Sequence, residues 1–170
     1  MSEGKLTLEI VTPLGVALHE TVDQVEAPSV AGELGVLPGH LPLLAGLRMG
    51  LVTLHHGADE TRIAVADGFV EVASDRVLLL TDKYAKKDDI DPVGVKVELR
   101  EASEKIEKYV GEPGSPAWRA LVADENWAAV RLELYGEPPA ATQRPYEEYG
   151  PPANPEESDA ADSEETSEAS

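Results

Sequence analysis

Residues 51–81 read LVTLHHGADETRIAVADGFVEVASDRVLLLT, and the way this stretch breaks decides the fold. Apolar runs at 51–54, 63–66, 69–73 and 77–80 are each too short for a helix, and each is bounded by turn chemistry. His56-Gly57-Ala58-Asp59 is placed to close a hairpin, Asp67-Gly68 breaks the next pair, and Ser74-Asp75 separates the last two runs. Upstream the same grammar continues. Leu6, Leu8 and Ile10 point one way while Thr7 and Glu9 point the other, Pro13 to Gly15 turns the chain, and further runs lie at 16–18 and 22–27. Many short strands at close spacing, with no amphipathic helix between them, predict a β-sandwich or barrel rather than a parallel α/β sheet.

Downstream the period changes at Asp91-Pro92, where Asp suits an N-cap and Pro the first helical position. Val95, Leu99, Ala102, Ile106 and Tyr109 recur at alternating steps of four and three, the stripe of an amphipathic helix, and Glu101–Lys105 and Glu104–Lys108 are i,i+4 pairs in the favourable order. Gly111-Glu112-Pro113-Gly114 ends this helix, and Ser115-Pro116 starts a second with the stripe Ala120, Ala123, Trp127, Val130 and Leu134, closed by Gly136. The two stripes pack as an antiparallel hairpin that buries a single seam. Weaker forces than those of the sandwich would hold it, so it is expected to detach or unfold separately. From residue 137 onward six prolines stand among Glu, Ser, Asp and Ala, a composition that predicts disorder.

The fold class is therefore α+β: an N-terminal antiparallel β-sandwich or flattened barrel (residues 1–86), a C-terminal antiparallel two-helix hairpin (87–136) and a disordered, acidic, Pro-rich tail (137–170). The formal net charge is −19, with ten acids and one base in residues 137–170. So acidic a surface repels nucleic-acid phosphates and anionic lipid headgroups. Aromatic residues make up only 5%, so the core must be mainly aliphatic. No export signal or span of roughly 20 apolar residues is present, and membrane insertion is not expected.

Catalytic groups are not apparent. Cysteine is absent, His19, His40, His55 and His56 do not share a metal-binding spacing, no nucleophile elbow frames a serine, and there is no phosphate-binding Gly-Lys-Ser or Gly-Lys-Thr loop. No catalytic residue, metal or cofactor is expected.

Residues 32–44, Gly-Glu-Leu-Gly-Val-Leu-Pro-Gly-His-Leu-Pro-Leu-Leu, fit neither helix nor strand. Three glycines and two prolines specify turns and close approach, while six apolar side chains either fold onto the core or meet a partner. This string resembles the signature of the epsilon subunit of bacterial F-type ATP synthases, and residues 67–72 and 77–82 are similar to later strands of that family. The resemblance covers roughly residues 4–136.

It implies a non-catalytic central-stalk subunit that couples ion translocation through the membrane ring to ATP synthesis. It further implies a location at the cytoplasmic face of the inner membrane, peripheral through the complex. The partners so implied are the gamma subunit of the central shaft and the membrane c-ring, with Glu33, Gly35, Pro38, Gly39, His40 and Pro42 as interface residues. Many family members also use the hairpin as a brake on ATP hydrolysis. Extended, its roughly 40 residues would span about 60 Å, and Arg100, Arg119 and Arg131 would meet the catalytic alpha and beta subunits. Some members bind ATP through an Asp followed three residues later by Arg-Ala. Here those two positions hold Gly94 and Val95, so the cation that would meet phosphate is missing. A free nucleotide sensor is the alternative reading, and an enzyme of unrecognised mechanism a third.

Overall fold

A computed structural model describes residues 4–137. The strands are β1 (Leu6–Thr12), β2 (Gly15–Val22), β3 (Gln24–Ser29), β4 (Gly32–Val36), β5 (Leu43–Leu47), β6 (Gly50–His56), β7 (Asp59–Val65), β8 (Gly68–Ala73), β9 (Arg76–Thr81) and β10 (Tyr84–Lys86). A 3-10 turn at Lys87–Asp89 leads to α1 (Pro92–Glu107) and α2 (Pro116–Tyr135). The α+β class expected from sequence is what the chain adopts. The tail reading, Glu137 apart, lies outside the described residues.

Strand order is β10-β7-β6-β3-β5-β8-β9-β1-β2, with β4 paired to β3 off this path. All pairings are antiparallel except β1 with β9. The sheet curls until β2 approaches β6, giving a nearly closed flattened barrel. Alternation explains its interior: Leu6, Leu8 and Ile10 are fully buried, as are Val25, Val52, Leu54 and Leu79. The main core cluster is aliphatic, with Tyr84 packed partly against it.

The hairpin turns are where the sequence places them. His56 pairs with Asp59 around Gly57-Ala58, and Ala73 pairs with Arg76 around Ser74 and Asp75, both of positive φ (49° and 58°). That geometry matches the twist of the flanking strands.

Three elements depart from the sequence reading. Residues 32–36 are a strand after all, because Leu34 and Val36 turn inward while Glu33 and Gly35 turn outward; an alternation spelled with glycine is easily missed. Leu43–Leu47 is a strand with apolar residues on both faces, so it showed no alternation. The second helix is also not buried along one stripe. Ala120 is exposed, whereas Trp118, Val122, Ala129 and Leu132 are buried beside Trp127, Val130 and Leu134.

The reason is that α2 packs in two directions. It lies along α1, and it covers the outer face of β6 and β7, where Trp127, Ala128, Val130 and Leu134 join Ala64 and Ala66 in a second cluster with partly buried Met49, Leu51 and Ala85. The single-seam expectation is thereby corrected: the hairpin is docked on the sandwich. A third small cluster of Ile106, Trp118 and Val122 closes the far end, with Tyr109 and Trp118 rings 5.4 Å apart. No helix among the described residues is long and apolar enough to cross a membrane.

Candidate interaction surfaces

The first surface is built by β4 and the connection to β5. Leu37 to His40 forms a turn in which His40 N–H donates to Leu37 O (3.1 Å), with Pro38 at its second position and Gly39 at its third with φ +80°. Proline presets φ for the second position and only glycine adopts the third without strain, the signature of a type II turn. Gly39 N–H also donates to Asp75 Oδ1 (2.6 Å), which pins the turn to the β8–β9 hairpin, and His40 Nδ1 lies 2.7 Å from Leu41 O.

Of the six expected interface residues, Pro38, Gly39, His40 and Pro42 are thus gathered in one loop. Glu33 and Gly35 lie up β4, so Glu33 stands toward the opposite end of the sheet. The apolar side chains of this stretch divide between two fates. Val36 is fully buried and Leu34 and Leu43 pack against the core, while Leu37, Leu41 and Leu44 are exposed, Leu41 by 79%.

A second surface was not anticipated. The one phenylalanine of the chain, Phe69, is 57% exposed on β8, opposite Leu80 of β9 (42%) and Gly46 of β5, over which Val30 folds. With Val11 and Pro13 these residues line an open cavity of about 950 Å³ bordered by Arg48, Asp67 and Asp82. Burial pushes the Asp67 carboxyl above its usual range, against the opposing pull of the Met49 N–H (2.8 Å) and the Arg48 charge. The signal was available, since alternation within 68–73 puts Phe69 and Glu71 opposite Val70 and Val72.

The three hairpin arginines do not form one cluster in this arrangement. Arg100 is exposed on α1, and Arg119 is half-buried near the start of α2. Arg131 is held within the hairpin: it pairs with Glu98, its Nε donates to Trp127 O (3.3 Å), and its guanidinium sits 5.5 Å from the centre of the Trp127 ring.

Asp91 is occupied as a helix cap. Oδ1 accepts from Val93 N–H (3.1 Å) and Oδ2 from Gly94 N–H (3.2 Å). His55 lies between Glu26 (3.3 Å) and Glu60 (3.5 Å), and His56 beside Glu20 (3.5 Å). No group of three or more such side chains among the described residues is arranged to hold a metal ion.

Residues 5–87 match the family model described as the ATP synthase, Delta/Epsilon chain, beta-sandwich domain. The chain is 39% identical over 132 residues to ATP synthase epsilon chain 2 of Syntrophotalea carbinolica, covering 78% of this chain and 94% of that one. It is 39% identical over 137 residues to the ATP synthase epsilon chain of Moorella thermoacetica, covering 78% and 98%, and 34% identical over 130 residues to that of Geotalea uraniireducens, covering 76% and 93%. Among solved structures, the fold is similar to a chain in the Euglena gracilis mitochondrial ATP synthase (TM-score 0.55, 22% identity, 77% of each chain). It is also similar to one in the central stalk and c-ring of the Tetrahymena thermophila mitochondrial enzyme (TM-score 0.51, 11% identity, 79% and 99%).

Proposed function

The chain belongs to the family of ATP synthase epsilon chains, which are non-catalytic subunits, and from that premise we propose that it couples ion translocation to ATP synthesis within the central stalk. The sandwich fastens the shaft (gamma) subunit to the membrane ring, and the hairpin restrains ATP hydrolysis by reaching the alpha and beta subunits when it leaves the sandwich. The chain works at the cytoplasmic face of the inner membrane, held there by the complex and not by insertion.

The observation that carries this reading is the exposed apolar face around Phe69. Several large apolar side chains left in water on one sheet face mark an interaction surface. The loop at 37–42 lies at the other end of the same strands, which suits a rotor subunit gripped from two directions. We assign the Phe69 face to the shaft, Pro38, Gly39, His40 and Pro42 to the contact with the ring, and Glu33 and Gly35, which lie up β4, to the interface shared by shaft and ring. Arg100, Arg119 and Arg131 are the candidate inhibitory contacts, and Arg131 must first release Glu98 and the Trp127 ring.

Two experiments test this. Phe69→Asp should abolish co-purification with the shaft subunit while leaving the melting temperature of the free chain unchanged; retained binding would remove the Phe69 face from the interface. Deleting residues 91–170 and comparing membranes for hydrolysis and synthesis tests the brake, which is wrong if hydrolysis does not rise.

A further inference from the structure

Ser74 and Asp75 close the β8–β9 hairpin with φ of 49° and 58°. A two-residue turn with both φ positive is least strained with Asn or Asp first and glycine second, because a Cβ crowds the left-handed backbone. Asp75 stands where glycine would suit the turn best, and its side chain serves another part of the chain. Oδ1 accepts from the N–H of Gly39 at 2.6 Å, across 36 positions of sequence. Asp75 makes no ion pair among the described residues, so its carboxylate is not committed to a neighbouring charge.

The bond falls where the 37–42 loop has none of its own. In the turn from Leu37 to His40 the internal bond runs from His40 N–H to Leu37 O (3.1 Å), and Pro38 has no N–H, which leaves the Gly39 N–H to be met from outside. The hairpin that meets it is itself fixed, since Asp75 O accepts from Thr7 N–H of β1 (2.9 Å). A second hold lies against Pro38. A Cβ built on Gly4 would stand 2.9 Å from Pro38 Cβ, so only a bare residue lets the proline settle there. The chain on either side of the loop is anchored without these holds, because Val36 is buried in the core and Leu43 packs against it. What they fix is the shape of a loop that carries Leu37 and Leu41 into water.

We propose that Asp75 is a positioning residue: through its bond to Gly39 it holds the 37–42 loop, before any contact is made, in the shape that meets the partner. A loop held in advance need not be ordered on binding, so the contact keeps more of its affinity. Asp75 acts through the Gly39 N–H and not through its charge. The identity of the partner rests on the reading above, which assigns this loop to the membrane ring; the positioning role rests on the Asp75–Gly39 bond.

The test uses the full-length chain with Asp75→Gly, Asp75→Asn and Gly4→Ala, each melted alone. Each is then titrated onto a purified shaft–ring complex lacking this subunit, and onto the shaft subunit alone. Glycine relieves the left-handed backbone while losing the acceptor, so Asp75→Gly should melt close to the parent yet bind the shaft–ring complex roughly tenfold more weakly. Its Gly39 amide should also exchange faster. Asparagine keeps an oxygen acceptor and tolerates this backbone, so Asp75→Asn should bind as the parent does. Gly4→Ala pushes on Pro38 and should weaken the same binding with Asp75 intact, and all three should bind the shaft alone unchanged. Undiminished affinity in Asp75→Gly or in Gly4→Ala overturns the proposal, because the shape of the loop would then not matter to the partner. A melting temperature lowered by more than about 5 °C in Asp75→Gly places the role of the side chain in the fold and also overturns it. Weak binding by Asp75→Asn overturns it as well, since the charge itself would meet the partner. Weakened binding to the shaft alone overturns the assignment to the ring. If the parent chain binds neither preparation, the coupling reading fails and this inference with it, whereas normal parent binding with indifferent variants sinks the inference alone.

Discussion

Tyr84 carries its phenol against the sandwich core, where its hydroxyl is buried without a hydrogen-bond partner among the described residues. Burial first, and the charges of Glu20 and Asp89 second, push its pKa up to about 12. An acid whose folded pKa is raised weakens the fold as pH climbs, because the unfolded chain ionises first. Stability should therefore fall between pH 10 and about 12, with Tyr84 ionising late among the tyrosines in an alkaline absorbance titration. Tyr84→Phe removes the orphaned hydroxyl and should stabilise the chain by about 1 kcal/mol in urea melts at neutral pH. Asp67 obeys the same sign lower on the scale. Its carboxyl is raised above 3.8 by burial, so its ionisation costs stability as pH rises past that value. Asparagine at this position still accepts from Met49 N–H, so Asp67→Asn should melt higher than the parent at pH 7 and lose that advantage below pH 3.8. Neither effect is legible in the sequence, because what surrounds each side chain is set by partners far along the chain.

Elements with local causes were readable from residues alone. Both helix starts carry their stop-and-start chemistry in two adjacent residues, and both are capped as read: Asp91 by two N–H donors, Ser115 by Trp118 N–H (3.3 Å). Asp91→Ala should cost about 1 kcal/mol of hairpin stability, and Asp91→Ser should recover most of it, if the side chain is only a cap; amide exchange in the first turn of α1 measures both. Elements whose pattern depends on a third body were not readable. α2 looks weakly amphipathic because α1 and the sheet bury different sides of it, and β5 looks like neither class because it is apolar on both faces. One seam residue was missed for the same reason: Glu125 is 1% exposed between the helices and accepts from Ser103 Oγ (2.7 Å). Removing that donor with Ser103→Ala should cost about 1 kcal/mol, the scale of a buried hydrogen bond, read as faster exchange along the α1–α2 seam and not in the sheet. The Gly-Glu-Leu-Gly and Pro-Gly-His string identified the family, yet the Phe69 face needed the sheet register to be seen as a surface.

Any brake requires the hairpin to leave the sandwich, so its action depends on how firmly the hairpin is held. The barrel has a large aliphatic core, whereas the hairpin rests on Ala64, Ala66 and a few partly buried neighbours through Trp127, Val130 and Leu134. Salt bridges add little, because Lys83–Asp124 (3.3 Å) is largely exposed. Trp127 is the main anchor, being 9% exposed, with Lys83 (6.0 Å) and Arg131 (5.5 Å) over its ring. Both tryptophans of the chain lie on α2, so indole fluorescence reports the hairpin and is blind to the barrel. Heating should therefore shift tryptophan emission before the sheet signal is lost. Trp127→Ala, which should cost on the order of 3 kcal/mol, ought to lower the first transition and leave the second in place. A single transition seen alike by fluorescence and by sheet content would mean that the helices cannot leave a folded barrel. The hairpin would then be a fixed buttress of β6 and β7, and a brake that works by release would have no folded state from which to start.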